Sequence, residues 1–308
     1  MSYPICSKSF KTWLSKSHIY EIIYKSIGSP RPFDVSLRDG IQSIPIHLHQ
    51  NYTTNEKMKI YNDIINQYNP ESIEIGSLVS PKVLPVLGDS IELYNRCTSL
   101  DYKLDHYLLV PSITKMSTVI DLCCKNISLI TSVSEAFQLR NTKKDLVQTK
   151  KDISEIISKA INCKIKLYIS CIDHCPIVGK IPHDIICNEI MYYYKNFNLD
   201  NLCLSDTCGT LTNESFISII DKCKSLGLSY NSLSLHLHTD PKSETSIINT
   251  KQIIYSALDR KISRFDVSYL ETGGCSVTMG SKTKPNLSYN LYYMSLVNYI
   301  IDKSNNKN

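Results

Sequence analysis

The sequence predicts a single (β/α)8 TIM barrel, and three observations carry that prediction. Short β-branched or aromatic runs occur eight times and alternate with longer segments of helical period, the pattern of repeated βα units around a parallel sheet. The eight units fill roughly 270 residues, close to the ~250 this fold usually takes. No Gly/Ser linker or low-complexity stretch divides the chain. The runner-up, an open doubly wound sheet, calls for a Gly-rich phosphate fingerprint that is missing here. The barrel is assigned to residues 33–308, and residues 1–32 to an N-terminal extension.

The elements follow in order. The first strand candidate is FDVSL from Phe33, which runs into Arg38-Asp39-Gly40; a helix begins near Thr53. SIEIG from Ser72 is the second strand, with Glu74 set in an apolar run. YLLVP from Tyr107, ISLITSV from Ile127 and KIKLYISC from Lys164 are the third to fifth, the last two separated by a helix from Asn141 to Ile161. After a helix from Pro182 come NLCLSD from Asn201, which ends at Asp206, and a helix from Thr212. SLSLHLH from Ser232 is the seventh strand, and a helix from Lys242 leads to FDVSYL at Phe265, the eighth. A helix from Asn286 closes the outer ring.

Composition sets the class. With 308 residues and 42% hydrophobic content, the chain is long enough to bury a large core. No apolar run reaches the eighteen or so residues that a spanning helix needs, so no membrane association is expected. Twelve cysteines scattered without a secretory signal read as the reduced thiols of an intracellular protein. The expected location is cytoplasmic; a mitochondrial one is kept open by the lysine- and serine-containing start, although no arginine precedes Arg31. Cys171-x3-Cys175 and Cys203-x4-Cys208 lack the pairing of a closed zinc site. A net charge of +5, spread rather than striped, does not call for nucleic acid and suits a small anionic substrate.

The chemistry gathers at strand ends, where active sites of this fold lie. The stretch LSLHLHTD from Leu233 places His236 and His238 two residues apart, on one face of a strand. His47-Leu48-His49 has the same spacing but ends no strand; it follows Pro45 in a connection and reads as a surface or packing pair. Taken singly, a carboxylate at a strand end is usually a helix cap, and Gly273-Gly274 a turn. Together, Asp39, His236 and His238 offer one oxygen and two nitrogens, a set suited to Mg²⁺ or Mn²⁺ with positions left open.

Further motifs stand in the same order along the chain: RDGIQ at Arg38, IEIGSLVSPKVLPVLGD at Ile73, ISCIDHCPIVGKI at Ile169, LCLSDTCG at Leu202, HLH at His236 and GGC at Gly273. In this combination, from Phe33 to about Tyr293, the chain resembles the HMG-CoA lyases of the DRE-TIM metallolyase superfamily. The resemblance implies cleavage of 3-hydroxy-3-methylglutaryl-CoA to acetyl-CoA and acetoacetate. It implies a divalent cation held by Asp39, His236, His238 and Asn286. Arg38 would bind substrate and stabilise the enolate, and Cys275 on a mobile loop would help move protons with His236. Glu74 and Asp206 match further active-site acids. Dimers are common in this family, so a homodimer is expected as well as an acyl-CoA substrate.

The chain departs from the family in places. RDGIQ is followed by Ser43-Ile44-Pro45 in place of Asn-Glu-Lys, the histidine motif reads His238-Thr239-Asp240, and the loop is GGCSVT. Asn286 lies eleven residues beyond Cys275, two more than the family spacing, with the addition in Ser281 to Lys284. Two other functions compete: an aldolase of the same scaffold acting on another acyl-CoA or a 4-hydroxy-2-oxo acid, and a barrel that has lost catalysis.

Overall fold

Alternation along the strands organises the molecule. In Lys164 to Ser170, Ile165, Leu167 and Ile169 face the helices, while Lys166, Tyr168 and Ser170 face inward. A computed structural model of the chain, describing residues 19–275 and 279–305, closes eight parallel strands into a barrel. They are β1 (Phe33–Asp34), β2 (Ser72–Ser77), β3 (Asp105–Leu109), β4 (Asn126–Ser132), β5 (Lys164–Ser170), β6 (Asn201–Ser205), β7 (Leu233–His236) and β8 (Phe265–Val267). Each pairs with its neighbour in sequence, and β8 pairs with β1. The apolar core lies between barrel and helices, whereas the lumen is polar, with Glu74, Ser128, Lys166, His236 and Asp266 all buried.

The helices are α1 (Ile19–Ile27), α2 (Thr54–Tyr68), α3 (Ser90–Thr98), α4 (Met116–Asp121), α5 (Glu135–Thr142), α6 (Leu146–Lys159), α7 (His183–Asn196), α8 (Asn213–Ser225), α9 (Glu244–Asp259) and α10 (Tyr289–Asn305). Side-chain caps fix several starts: Thr53 accepts from Glu56 N, Thr212 from Ser215 N and Ser243 from Ser246 N. A two-stranded hairpin, His174–Cys175 with Gly179–Lys180, follows β5. Among the described residues no helix is long and apolar enough to cross a membrane, and the described cysteines are free thiols. From the N-terminal extension, α1 buries Ile23 in the core, and Ser29 Oγ donates to Ser263 O at 3.0 Å; the first eighteen residues lie outside the described ones.

Several expected boundaries shift, three of them with a clear local cause. The first strand stops at Asp34, because its carboxylate accepts Ser36 N at 2.8 Å and Ser36 Oγ at 3.0 Å and so turns the chain away from the ladder. Residues Ser36–Gly40 coil into a π-helical turn, which places Arg38 and Asp39 beyond the strand. The helix expected from Asn141 is two helices: Lys143 takes a left-handed φ of 62° that ends α5, and Asp145 caps α6 through Gln148 N. The last helix begins at Tyr289, three residues later than expected, because Pro285 to Leu287 pair with the chain leaving β7. There Thr239 N donates to Pro285 O and Leu287 N to Leu237 O, each at 2.9 Å.

Candidate metal centre and cleft

A cleft of about 580 Å³ opens over the C-terminal ends of the strands. Its floor includes Arg38, Asp39, Tyr168, His236 and His238, and Cys275 lines it from the β8 loop. Each side chain has a structural reason for its place. The π-helical turn carries Arg38 and Asp39, and β7 delivers His236 at its last residue with His238 on the same side, the two rings 4.8 Å apart.

Asp39, His236 and His238 converge, each offering one ligand atom and all three atoms lying within 4.8 Å of one another. His238 Nδ1 faces the Asp206 carbonyl at 2.8 Å and His236 Nδ1 faces Asp266 Oδ2 at 3.1 Å. Both partners only accept, so each imidazole carries its proton on Nδ1. In its neutral form each then turns an Nε2 lone pair toward Asp39 Oδ2, at 3.7 Å from His236 and 3.6 Å from His238. Three electron-pair donors pointed at one another in a buried place are poorly arranged for a hydrogen-bond network and well arranged for a cation.

Asn286 completes the arrangement. It forms a β-bridge with His238, and its carboxamide oxygen and nitrogen are buried without a hydrogen-bond partner, as is His238 Nε2. Unmet polar atoms at such depth are costly unless a ligand meets them. The extra residues between Cys275 and Asn286 fall in a 3-10 turn, Gly280–Lys282, with Lys282 exposed, so the insertion bulges outward and Asn286 stays at the site. Gly273 packs directly on it at φ 140°, and a Cβ there would collide with the Asn286 carboxamide.

The charged groups balance one another. Arg38 Nε bonds Glu74 Oε2 and its Nη1 bonds Asp39 Oδ1, each at 2.6 Å. Burial works against the Asp39 charge, yet the Arg38 guanidinium beside it holds the carboxyl well below the usual range. Burial lowers His236, while at His238 it is outweighed by the Asp39 carboxylate, which raises the imidazole. A loop latch adds to this: Gly274 N donates to Asp39 Oδ2 at 2.9 Å, and Gln42 Nε2 reaches both Asp39 Oδ1 and Gly274 O.

Other expected residues take different places. Glu74 is fully buried and does not line the cleft; Arg38, Tyr168 OH and Ser128 Oγ occupy its oxygens, so it orients Arg38. The Asp206 carboxylate accepts Thr210 N at 3.0 Å, and its pKa is pushed up to about 6 by burial; its carbonyl is what touches His238. The Cys275 thiol lies 3.5 Å from Asn141 Oδ1. His47 and His49 sit on a separate 3-10 turn, Ile46–Asn51, with no buried residue in it. Asp240 is turned away and caps Lys242 N. Sequence reasoning missed Asp266, Gln42 and the cleft cations Lys115, Arg140 and Lys143. Of these, only Asp266 was signalled, as an acid in an apolar strand.

No family model matches the chain. It is 23% identical over 271 residues to the mitochondrial hydroxymethylglutaryl-CoA lyase of Arabidopsis thaliana, which covers 86% of this chain and 54% of that protein. It therefore spans about half of that relative's length. The hydroxymethylglutaryl-CoA lyase YngG of Bacillus subtilis is 25% identical over 252 residues, covering 80% of this chain and 79% of YngG. Among solved structures, an HMG-CoA lyase from Acinetobacter baumannii in complex with coenzyme A and 3-methylmalate superposes with a TM-score of 0.73. It is 24% identical and covers 89% of this chain and 84% of its own. The resemblance carried by the motifs thus extends to overall sequence, and the barrel is the one these structures share.

Proposed function

We propose that this relative of the HMG-CoA lyases is a divalent-metal-dependent carbon-carbon lyase that cleaves 3-hydroxy-3-methylglutaryl-CoA to acetyl-CoA and acetoacetate. The observation that supports it most is the convergence of Asp39, His236, His238 and Asn286, with unpartnered donor atoms, in a cleft that Arg38 and Cys275 also line. Those four residues would hold Mg²⁺ or Mn²⁺, which would supply Lewis acidity toward the substrate's tertiary hydroxyl.

The chain's own groups account for the rest. Cleavage leaves negative charge on the departing acetyl-CoA carbon, delocalised to the thioester oxygen. Arg38, fixed by Glu74 and Asp39 through two hydrogen bonds, is preorganised to receive that oxygen; losing one such donor typically costs ~3 kcal/mol of transition-state stabilisation. The Cys275 thiol, on the loop latched to Asp39 through Gly274, is the group to return a proton to the carbon. His236, with Nδ1 on Asp266 and Nε2 turned to the cation position, would serve as a ligand, and the hydroxyl proton, made more acidic by the cation, would leave to water in the open cleft. Lys115, Arg140 and Lys143 suit the phosphates of coenzyme A. The apolar wall of Val79, Val83, Leu84 and Leu87 favours a second reading, an acyl-CoA with a bulkier 3-substituent.

The test is acetoacetate release from HMG-CoA by purified protein with Mg²⁺ or Mn²⁺, with and without EDTA. We expect release that EDTA abolishes. Metal binding without release would move the assignment to another acyl-CoA or a 4-hydroxy-2-oxo acid, and no metal binding would favour a barrel without catalysis.

A further inference from the structure

We propose that Lys166 and Asp266 form a positioning relay that holds the His236 imidazole in the tautomer and orientation required by the metal centre. The proposal rests on the reading of Asp39, His236 and His238 as cation ligands and adds two residues to it that touch neither cation nor substrate.

The relay is built by strand register. Asp266 on β8 lies beside His236 on β7, and its two oxygens serve different partners. Oδ1 takes the Lys166 ammonium from β5, across the lumen; Oδ2 takes His236 Nδ1 at 3.1 Å, with Cys203 Sγ at 3.6 Å. Lys166 and Asp266 are 2% and 1% exposed, so the pair is almost wholly withdrawn from bulk solvent. The ammonium sits 3.6 Å from the centre of the Phe33 ring and 4.9 Å from that of Tyr168, which fixes its position.

An ion pair this deep needs an explanation other than stability, since apolar residues of similar volume commonly serve a barrel core as well or better. Its placement supplies one. Without Lys166, the Asp266 carboxylate loses the partner that anchors Oδ1 and can rotate, releasing His236 Nδ1. Without Asp266, the imidazole is free to carry its proton on Nε2, the nitrogen aimed at Asp39. Carboxylates behind metal-bound histidines fix the tautomer in this way, and their loss typically weakens metal binding 10–100-fold.

A second feature makes the relay reachable. On the N-terminal side of the barrel a cavity of about 190 Å³ is lined by Lys166 and Asp266 together with Arg31, Glu71 and Arg264. A small alkylammonium ion can therefore approach Asp266 from the mouth opposite the cleft and replace a truncated lysine.

The experiment measures Mn²⁺ binding by electron paramagnetic resonance on the full chain, wild type against Asp266→Asn, Lys166→Met, Lys166→Arg and Lys166→Ala, with folding checked by circular dichroism. We expect a 10–100-fold loss of affinity in Asp266→Asn and Lys166→Met, near-complete retention in Lys166→Arg, and partial recovery of Lys166→Ala on adding methylammonium. Folded Asp266→Asn and Lys166→Met variants that bind Mn²⁺ within twofold of wild type would overturn the relay. So would a Lys166→Ala defect that methylammonium leaves untouched, which also decides the matter where Asp266→Asn fails to fold. Failure of wild type to bind Mn²⁺ would instead sink the metal-site reading. The relay is then judged from imidazole ¹⁵N shifts of the wild-type protein, where a His236 protonated on Nδ1 supports it and a tautomer mixture overturns it.

Discussion

Two His-x-His pairs occur in this chain, and their surroundings are opposite. His47 and His49 lie on a surface turn after Pro45, where the His49 ring donates to Ile44 O at 2.9 Å. His236 and His238 end a strand inside the barrel, each with Nδ1 engaged and Nε2 turned to Asp39. The spacing is identical. What differs is that strand periodicity aligns the second pair and that acceptors behind the rings fix which nitrogen faces the carboxylate.

The sharpest way to break this contrast is to remove one member of the buried pair. His236→Ala should weaken Mn²⁺ binding by roughly 100-fold or more, at or beyond the upper end of what losing a supporting group costs, and should abolish acetoacetate release. Calorimetric titration would measure the first, and unchanged affinity would show that the buried pair is not a ligand pair. Asn286→Ala probes the fourth position and should cost about tenfold in affinity with the fold intact. If affinity does not change, the unpartnered carboxamide has another explanation.

A buried carboxyl outside the cleft gives a third case. Asp34, between barrel and helices, has Ser36 as its hydrogen-bond partner, and burial pushes its pKa up to about 7. A carboxyl raised in the folded state contributes fully below its unfolded value of about 4, and that contribution is lost as pH rises from there to about 7. Wild type should therefore lose on the order of 2 kcal/mol more stability than Asp34→Asn between pH 5 and pH 8 in urea unfolding. Parallel pH profiles would refute this. The smallest effect is expected from His47→Ala with His49→Ala, within about 0.5 kcal/mol in stability and twofold in Mn²⁺ affinity; a larger loss of affinity would mean that the surface pair contributes to the site.

Much of this was legible in the chain itself. Strands such as KIKLYISC and SIEIG announce themselves because β-branched residues alternate with polar ones that the barrel turns inward. Strand ends then locate Arg38, Asp39, His236 and His238, since the fold places chemistry there. The π-helical turn was not legible, because it arises from Asp34 capturing Ser36, a local competition that strand propensity does not reveal. Nor was the partner of His236: Lys166 and Asp266 are 100 positions apart, and only barrel closure and register make them neighbours. Asp240, which follows the histidine pair in the chain, caps Lys242 N instead, and the support behind His236 comes from Asp266 on the next strand.

The contact between Gly273 and Asn286 carries one more consequence. Gly273 offers no side chain to a ligand or to a reacting atom, yet the space a methyl group would need is already taken by the Asn286 carboxamide, and its φ of 140° suits no other residue. In a saturation scan scored by growth or turnover, position 273 should be as intolerant as the histidines. Ser281 to Lys284, a few residues along the same loop, should accept substitutions and further changes in length. Intolerance of that kind marks where the backbone must leave room, and a map of essential positions read as a map of reactive groups would misplace it.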